Sequence, residues 1–202
     1  MKEEEIRPKL IFDEYLRLAE IDTKTYFLNT ELDDISCPAC NSKGEFAFEK
    51  SGFRYESCKK CGTLFVSPRA KSEAFKKYYK ESPSSNYWAT TFYKVTAESR
   101  REKLWKPKAK EIINILKKFK CDNSHSIVDI GGGYGLFAEE INIFSKKKSL
   151  IIEPGPNLAK ICREKGLNVV QKFLEDVSKN DLPSGKKCFV SFELFEHLHD
   201  PL

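Results

Sequence analysis

Residues 126–137 read SIVDIGGGYGLF, and the fold turns on how this stretch is read. An apolar run around Asp129 passes into Gly131, Gly132 and Gly133, and Gly135 follows just before a second apolar run. A buried strand that turns through glycines into a helix brings its backbone close to a ligand, where a Cβ would hold it off. The alternation continues downstream. SLIIEP (149–154) reads as a second strand and NLAKICREK (157–165) as a helix closed by Gly166. LNVVQ (167–171) and KCFVSFE (187–193) read as strands three and four. Strands alternating with helices imply a parallel sheet with right-handed crossovers, and so an α/β fold.

Upstream of this region, KLIFDEYLRLAEI (9–21) spaces Leu10, Ile11, Tyr15, Leu18 and Ile21 as a helix would. A second helix is expected in KPKAKEIINILKKFK (106–120), with Pro107 in its first turn. Its apolar face would be Ala109, Ile112, Ile113, Leu116 and Phe119. Residues 71–105 are rich in aromatics, including Phe75, Tyr78, Trp88, Phe92 and Tyr93, and are broken by Ser82-Pro83-Ser84-Ser85. They read equally as packing or as a lid. The expected division is a helical segment (1–34), a cysteine module (35–70), a helical and aromatic linker (71–125) and the strand–helix domain (126–202).

Composition narrows the class. The chain has 202 residues, 40% of them hydrophobic and 12% aromatic, enough for a packed core. Its net charge of +5 comes from 35 basic and 30 acidic residues, spread without long like-charge blocks. The densest basic run, SKKKS (145–149), reads as a solvated loop. The N-terminus is too acidic for a transit peptide, and no apolar stretch is long enough for a membrane span. A cytoplasmic protein with no membrane partner is expected.

Seven cysteines are present, four of them as Cys37-x-x-Cys40 and Cys58-x-x-Cys61. Two such pairs, joined by the strand-like runs EFAFEK and FRYESC around a Ser51-Gly52 turn, fit four thiolates around one structural zinc ion. Four thiolates leave no open coordination position, so this zinc is not expected to be catalytic. Cys121, Cys162 and Cys188 lie in apolar surroundings and read as small core residues.

The glycine pattern is D-x-G-x-G-x-G, and Leu136 stands where a dinucleotide fingerprint needs a small residue. Asp129 would repel a pyrophosphate and welcome a cationic, amino-acid-like group. That favours S-adenosylmethionine over a nicotinamide cofactor. Glu153 closes the second strand about twenty residues on, where an acid can accept both ribose hydroxyls.

On VDIGGGYG (128–135) the chain resembles the class I S-adenosylmethionine-dependent methyltransferases. The resemblance runs from residue 126 onward. It implies a Rossmann-like sheet with strands 3-2-1-4 present and the family's later strands missing. Asp129, Gly131, Gly132, Gly133 and Gly135 would hold the methionine portion and Glu153 the ribose. Phe173 and Leu174 would flank the adenine, with Glu175 or Asp176 a loose match for the family's acid there. With the cysteine module and residues 82–109 added, the chain looks like bacterial methyltransferases carrying an N-terminal zinc-binding domain, some acting on nucleotide-linked deoxysugars.

The segment SFELFEHLHDPL (191–202) brings Glu193, Glu196 and His197 onto neighbouring positions of an expected helical turn. Glu193 would line the cofactor pocket in the plainest reading. His197 could act as general base. The stretch also resembles the Glu-x-x-Glu-His metal sites of certain RNA and ubiquinone-pathway methyltransferases. His199 reads as a surface residue. Strand four would present an open edge, so a partner or a missing C-terminal half is expected there. The implied reaction is methyl transfer to a small-molecule acceptor such as a sugar or sugar nucleotide. Two rivals stand beside it: an RNA methyltransferase that reads RNA with the zinc ribbon, and a non-catalytic zinc-dependent interaction module.

Overall fold

The computed structural model describes residues 2–121, 125–199 and 201. The chain forms two compact units and enters each twice. One consists of Met1–Phe12 and Asn86–Leu194, the other of Asp13–Ser85 and Phe195–Leu202.

The second of these is the cysteine unit. Helix α1 (Lys9–Thr23), which crosses the boundary at residue 12, runs on into a π-helical turn, Lys24–Leu28. Two short strands, β1 (Leu32–Asp33) and β5 (Arg69–Ala70), pair antiparallel. Between them lies a three-stranded antiparallel sheet of β2 (Gly44–Lys50), β3 (Phe53–Cys58) and β4 (Leu64–Val66). The β2–β3 turn has φ of 53° at Ser51 and 82° at Gly52. Two successive left-handed residues match the right-handed twist of the paired strands, which is why a Ser-Gly turn closes this hairpin. Helix α2 (Ser72–Glu81) packs by rings, Phe75 and Tyr78 lying 4.9 Å and 5.3 Å from Phe27. A short helix α3 (Pro83–Tyr87) follows, and its Ser84 amide donates to buried Asp22 at 2.8 Å.

The other unit carries the parallel sheet. Helices α4 (Tyr93–Arg100) and α5 (Lys106–Lys118) lead into strand β6 (Ser126–Ile130). Helix α6 (Leu136–Ser145), β7 (Leu150–Ile152), α7 (Pro156–Glu164), β8 (Asn168–Val170) and β9 (Lys187–Ser191) complete it. The four strands are parallel in the order β8-β7-β6-β9, the order 3-2-1-4 that the resemblance implied. Ile130 pairs with Ile152 on one side and Ser191 on the other, so the strands end level. One side of the core is built from Ala109, Ile127, Phe137 and Ile141, with Ile112, Ile113 and Leu116 of α5 packed against them.

Two expected faces need correction. Phe119 does not join the apolar face of α5; the helix ends at Lys118 and Phe119 is 69% exposed. On α1, Leu10 and Ile21 are exposed as well, so the helical spacing there marks no continuous buried stripe.

A charged clamp fixes α6. Arg101 reaches Glu140 at 2.7 Å and Glu139 at 2.9 Å, and Glu140 is buried. Removing one partner of a buried pair leaves the other uncompensated. Arg101→Gln is therefore expected to cost about 3 kcal/mol and lower the thermal midpoint by roughly 6–12 °C, measured by thermal denaturation.

Candidate metal centre and ligand site

The Sγ atoms of Cys37, Cys40, Cys58 and Cys61 all lie within 4.8 Å of one another, with Cys37–Cys61 and Cys40–Cys58 at 3.5 Å. Thiolates bound at about 2.3 Å around a tetrahedral ion stand about 3.8 Å apart, so the cage is the right size for zinc. Each pair sits in the same backbone knuckle. The amides of Asn41 and Gly62 donate to the carbonyls of Cys37 and Cys58, at 2.8 Å and 2.7 Å. The Cys37 and Cys58 amides donate in turn to Ser42 and Thr63. Both knuckles need a left-handed residue after the second cysteine: Gly62 has φ 76° and Asn41 has φ 56°. Asparagine tolerates that region better than most residues, so Asn41 does in the first knuckle what Gly62 does in the second.

The thiols do not titrate alike. The Thr63 hydroxyl and amide favour the thiolate of Cys61 and bring it down to about 6. At Cys58 the Cys61 amide favours the thiolate, but burial and the neighbouring thiols prevail and push it up to about 11. Holding all four as thiolates at neutral pH calls for a cation at the centre. Cys37, Cys58 and Phe65, with Ile35 and Cys40, also form the buried cluster of this region.

The parallel sheet brings a second group together. Strand β6 has β7 on one side and β9 on the other, so the strand order reverses direction beside it. Ligands of open α/β sheets bind at the carboxyl ends of the strands at such a point. The glycine loop occupies this place. Gly131, Gly133 and Gly135 have φ of 73°, 54° and 79°, and the Gly131 amide donates to Ile152 O at 2.8 Å. A Cβ on Gly132 would stand 2.7 Å from Ile151 Cγ2 and 2.8 Å from Asp129 Oδ2. Gly132 is thus glycine for closeness rather than for its dihedrals.

Two carboxylates lie beneath the loop. Asp129 is 2% exposed and Glu153 is 6% exposed. Glu153 accepts the amides of Gly133 (2.9 Å) and Gly155 (2.8 Å). Asp129 Oδ2 is buried and has no hydrogen-bond partner among the described residues. Burial pushes both acids up to about 7, the Glu153 charge adding to the effect at Asp129 and the two amides opposing it at Glu153. A buried carboxylate oxygen left without a donor calls for a positively charged or donating group.

Further residues support the loop, and the sequence had not singled them out. The Tyr134 ring stacks on Tyr93 at 5.1 Å and 15°. The Lys165 ammonium lies 3.9 Å from the Tyr134 ring centroid and donates to the Tyr134 carbonyl at 2.8 Å. The Tyr93 hydroxyl stands 3.4 Å from where a Cβ on Gly133 would be. The Cys162 thiol donates to Gly133 O at 3.2 Å, so this buried cysteine also braces the loop. Nothing in the pattern of 71–105 separates Tyr93 from its aromatic neighbours; only the turn that faces the loop does.

The remaining candidates fall as follows. Phe173 and Leu174 are half-buried just beyond the carboxyl end of β8, and Glu175 and Asp176 beside them are exposed. Glu193 is exposed, with φ 52°, two residues past β9. The expected helical turn starting at Glu193 is not formed; a 3-10 turn, Phe195–His197, stands there instead. The left-handed Glu193 breaks any helix at that point. Glu193 belongs to the sheet unit, while Glu196 and His197 belong to the cysteine unit, both exposed. His199 is half-buried, against expectation: its ring meets Phe75 edge-on at 5.9 Å and its Nε2 lies 3.3 Å from Ala70 O.

Neither a protein-family model nor a curated protein matches the chain. Among the described residues no helix is long and apolar enough to cross a membrane.

Proposed function

We propose that the sheet unit is a Rossmann-like S-adenosylmethionine-binding fold that methylates a small-molecule acceptor, with a sugar or sugar nucleotide as the acceptor class. The buried, unpartnered Oδ2 of Asp129 beneath the glycine loop carries this reading. A pyrophosphate would meet two buried carboxylates there; a ligand with a positively charged amino-acid end would satisfy them. Asp129 and the backbone of Gly131 to Gly135 would take the methionine portion, and Glu153 the ribose hydroxyls. Phe173 and Leu174 would flank the adenine. When bound, the cofactor supplies an electrophilic methyl group on a sulfonium. The chain's part is to orient it from the loop that Tyr93, Tyr134 and Lys165 brace, and to exclude water beneath it.

The four cysteines would hold a structural zinc. Charge gives RNA little to bind: the cysteine module 35–70 has six Lys and Arg against three Asp and Glu, a net +3, and four thiolates around a dication would bring it to +1. A reader of RNA needs a more concentrated basic face. One observation favours a second reading, binding without turnover. His197, the candidate base, is exposed.

Calorimetric titration of the zinc-loaded chain with S-adenosylhomocysteine, beside an Asp129→Ala, Glu153→Ala variant, tests the proposal. Micromolar binding that the variant loses is the expected result. Absence of binding in a folded chain carrying one zinc would overturn it.

A further inference from the structure

The sheet unit is electrically lopsided along its strands. Its carboxyl edge gathers Asp129, Glu153, Glu175, Asp176 and Glu193. The opposite, amino edge holds, at the starts of β6, β7 and β9, three stretches, residues 112–121, 141–152 and 182–192, while Arg163 and Glu164 precede the start of β8. Together the three stretches hold eight lysines and no carboxylate. The eight are Lys117, Lys118 and Lys120 from the end of α5, Lys146, Lys147 and Lys148 between α6 and β7, and Lys186 and Lys187 at the start of β9. Acids stand directly outside these bounds, at Glu111, Asp122, Glu140, Glu153, Asp181 and Glu193, and Asp122 lies outside the described residues.

Backbone contacts place these stretches at one end of the unit. The Ser126 amide donates to Lys186 O at 2.9 Å, joining the starts of β6 and β9. Lys147 Nζ donates to His125 O at 2.9 Å, joining the α6–β7 loop to the start of β6. The Cys121 amide donates back to Leu116 O at 2.8 Å, so the last turn of α5 closes onto the same end. The solvated loop expected at 145–149 is thus one part of a basic edge made from segments distant in sequence.

Apolar side chains project among these lysines. Phe119, between Lys118 and Lys120, is 69% exposed, and Ile115, one turn earlier on α5, is 41% exposed. Ile143, near the end of α6, is exposed too. No arginine occurs in the three stretches. A phosphate held in fixed geometry is gripped best by the planar arginine fork, whereas lysines are mobile point charges suited to a diffuse negative layer. Phe119 offers a nucleobase one ring to stack on, whereas Ile115 and Ile143 beside it offer none, and all three suit the boundary between headgroups and acyl chains.

We propose that the amino edge of the parallel sheet docks on an anionic lipid bilayer, with Phe119 entering the interface and the surrounding lysines neutralising headgroups. The carboxyl edge, with the glycine loop, is then the end of the sheet unit away from the lipid. This proposal is independent of which ligand the glycine loop takes. It requires no span, only surface attraction plus shallow insertion.

Co-sedimentation of the full zinc-loaded chain with vesicles tests it. Vesicles of phosphatidylcholine with about one third phosphatidylserine should retain the chain at low salt, and pure phosphatidylcholine should not. Each lysine near the surface is worth about fivefold in partitioning, so K117Q/K118Q/K146Q/K148Q should bind more than about 100-fold more weakly. A control with four other lysines exchanged, K43Q/K60Q/K80Q/K94Q, should bind like the parent. F119S should bind several-fold more weakly even at about 0.5 M salt, where charge is screened. Equal partitioning onto neutral and anionic vesicles would overturn the proposal without recourse to any variant. So would equal loss in both lysine sets, or retention by an RNA oligonucleotide without retention by anionic vesicles.

Discussion

Cys58→Ser empties the metal centre and melts the knuckle region, while the aromatic packing of α1 and α2 persists. Cys58 is 1% exposed and sits at the end of β3, where its Sγ faces Cys40 and its carbonyl takes the Gly62 amide. The thiols themselves are the buried cluster here: apart from Phe65 and the flanking Ile35, little apolar surface closes around them. Strand β2 is exposed along almost its whole length, so no apolar layer replaces the metal if it leaves. Structural zinc is worth about 10–16 kcal/mol of apparent binding free energy at neutral pH, far above what a hairpin of this size has without it. Metal content should fall from one zinc per chain to a small fraction, by atomic emission. Hydrogen exchange should accelerate at the Cys37, Cys58 and Gly62 amides and stay slow in α2. Treatment of the parent with a strong chelator should reproduce the pattern. Unchanged protection at those amides in the metal-free chain would show that the knuckles stand unaided.

Asp129→Asn should strengthen the ligand-free fold and destroy its ligand site together. The acid is held near 7 by burial, above its ordinary value of 3.8. A carboxyl whose folded value is raised favours the folded state only while protonated. Stability is thus lost as pH climbs from about 4 to about 7, and the full cost, a few kcal/mol, stands at pH 8. An amide has no charge to desolvate, and relief of about 2 kcal/mol raises the thermal midpoint by roughly 4–8 °C at pH 8. The gain shrinks as pH falls and disappears near pH 4. Affinity for S-adenosylmethionine should fall on the order of 100-fold, as expected for losing a buried charge-assisted contact. In the parent, affinity for that cationic ligand should rise as pH passes upward through 7. A variant as pH-sensitive as the parent, or one that binds as tightly, would remove Asp129 from the site.

How much of this was legible depended on how local the signal is. The four strands of the sheet followed from alternation and from a glycine loop whose conformation only glycine adopts easily, and their order from the resemblance carried by residues 128–135. The thiol cage followed from spacing, since two knuckles joined by a hairpin have few ways to meet. Phe119 was misplaced because its helical spacing continues past Lys118, whereas Lys120 turns left-handed at φ 53° and ends the helix. Glu193 was misplaced for a related reason: its φ of 52° is a backbone state that glutamate rarely signals. The bracing of the loop by Tyr93 and Lys165 was out of reach because it joins residues 93, 134 and 165 through rings and a cation, which leave no periodic trace. Asn41 is the exception. Its match to Gly62 at the same place after a Cys-x-x-Cys pair could have been read directly.

The way the chain threads its two units has a kinetic consequence. Arg100 contacts the Ile6 carbonyl at 3.5 Å, across 94 residues. Buried Phe92 lies 6.1 Å from Phe12, and both belong to the sheet unit, as do Ile6 and Arg100. Residues up to 12 therefore belong to a structure whose next part is made only after residue 85. In between, both cysteine pairs and most of their unit have already emerged. At about 5–20 residues per second, the N-terminal segment waits several seconds for its partners. Loop closure over such a distance is slow relative to the local knuckles. The four thiols can thus meet, and would take up a metal, before the segments of the sheet unit come together.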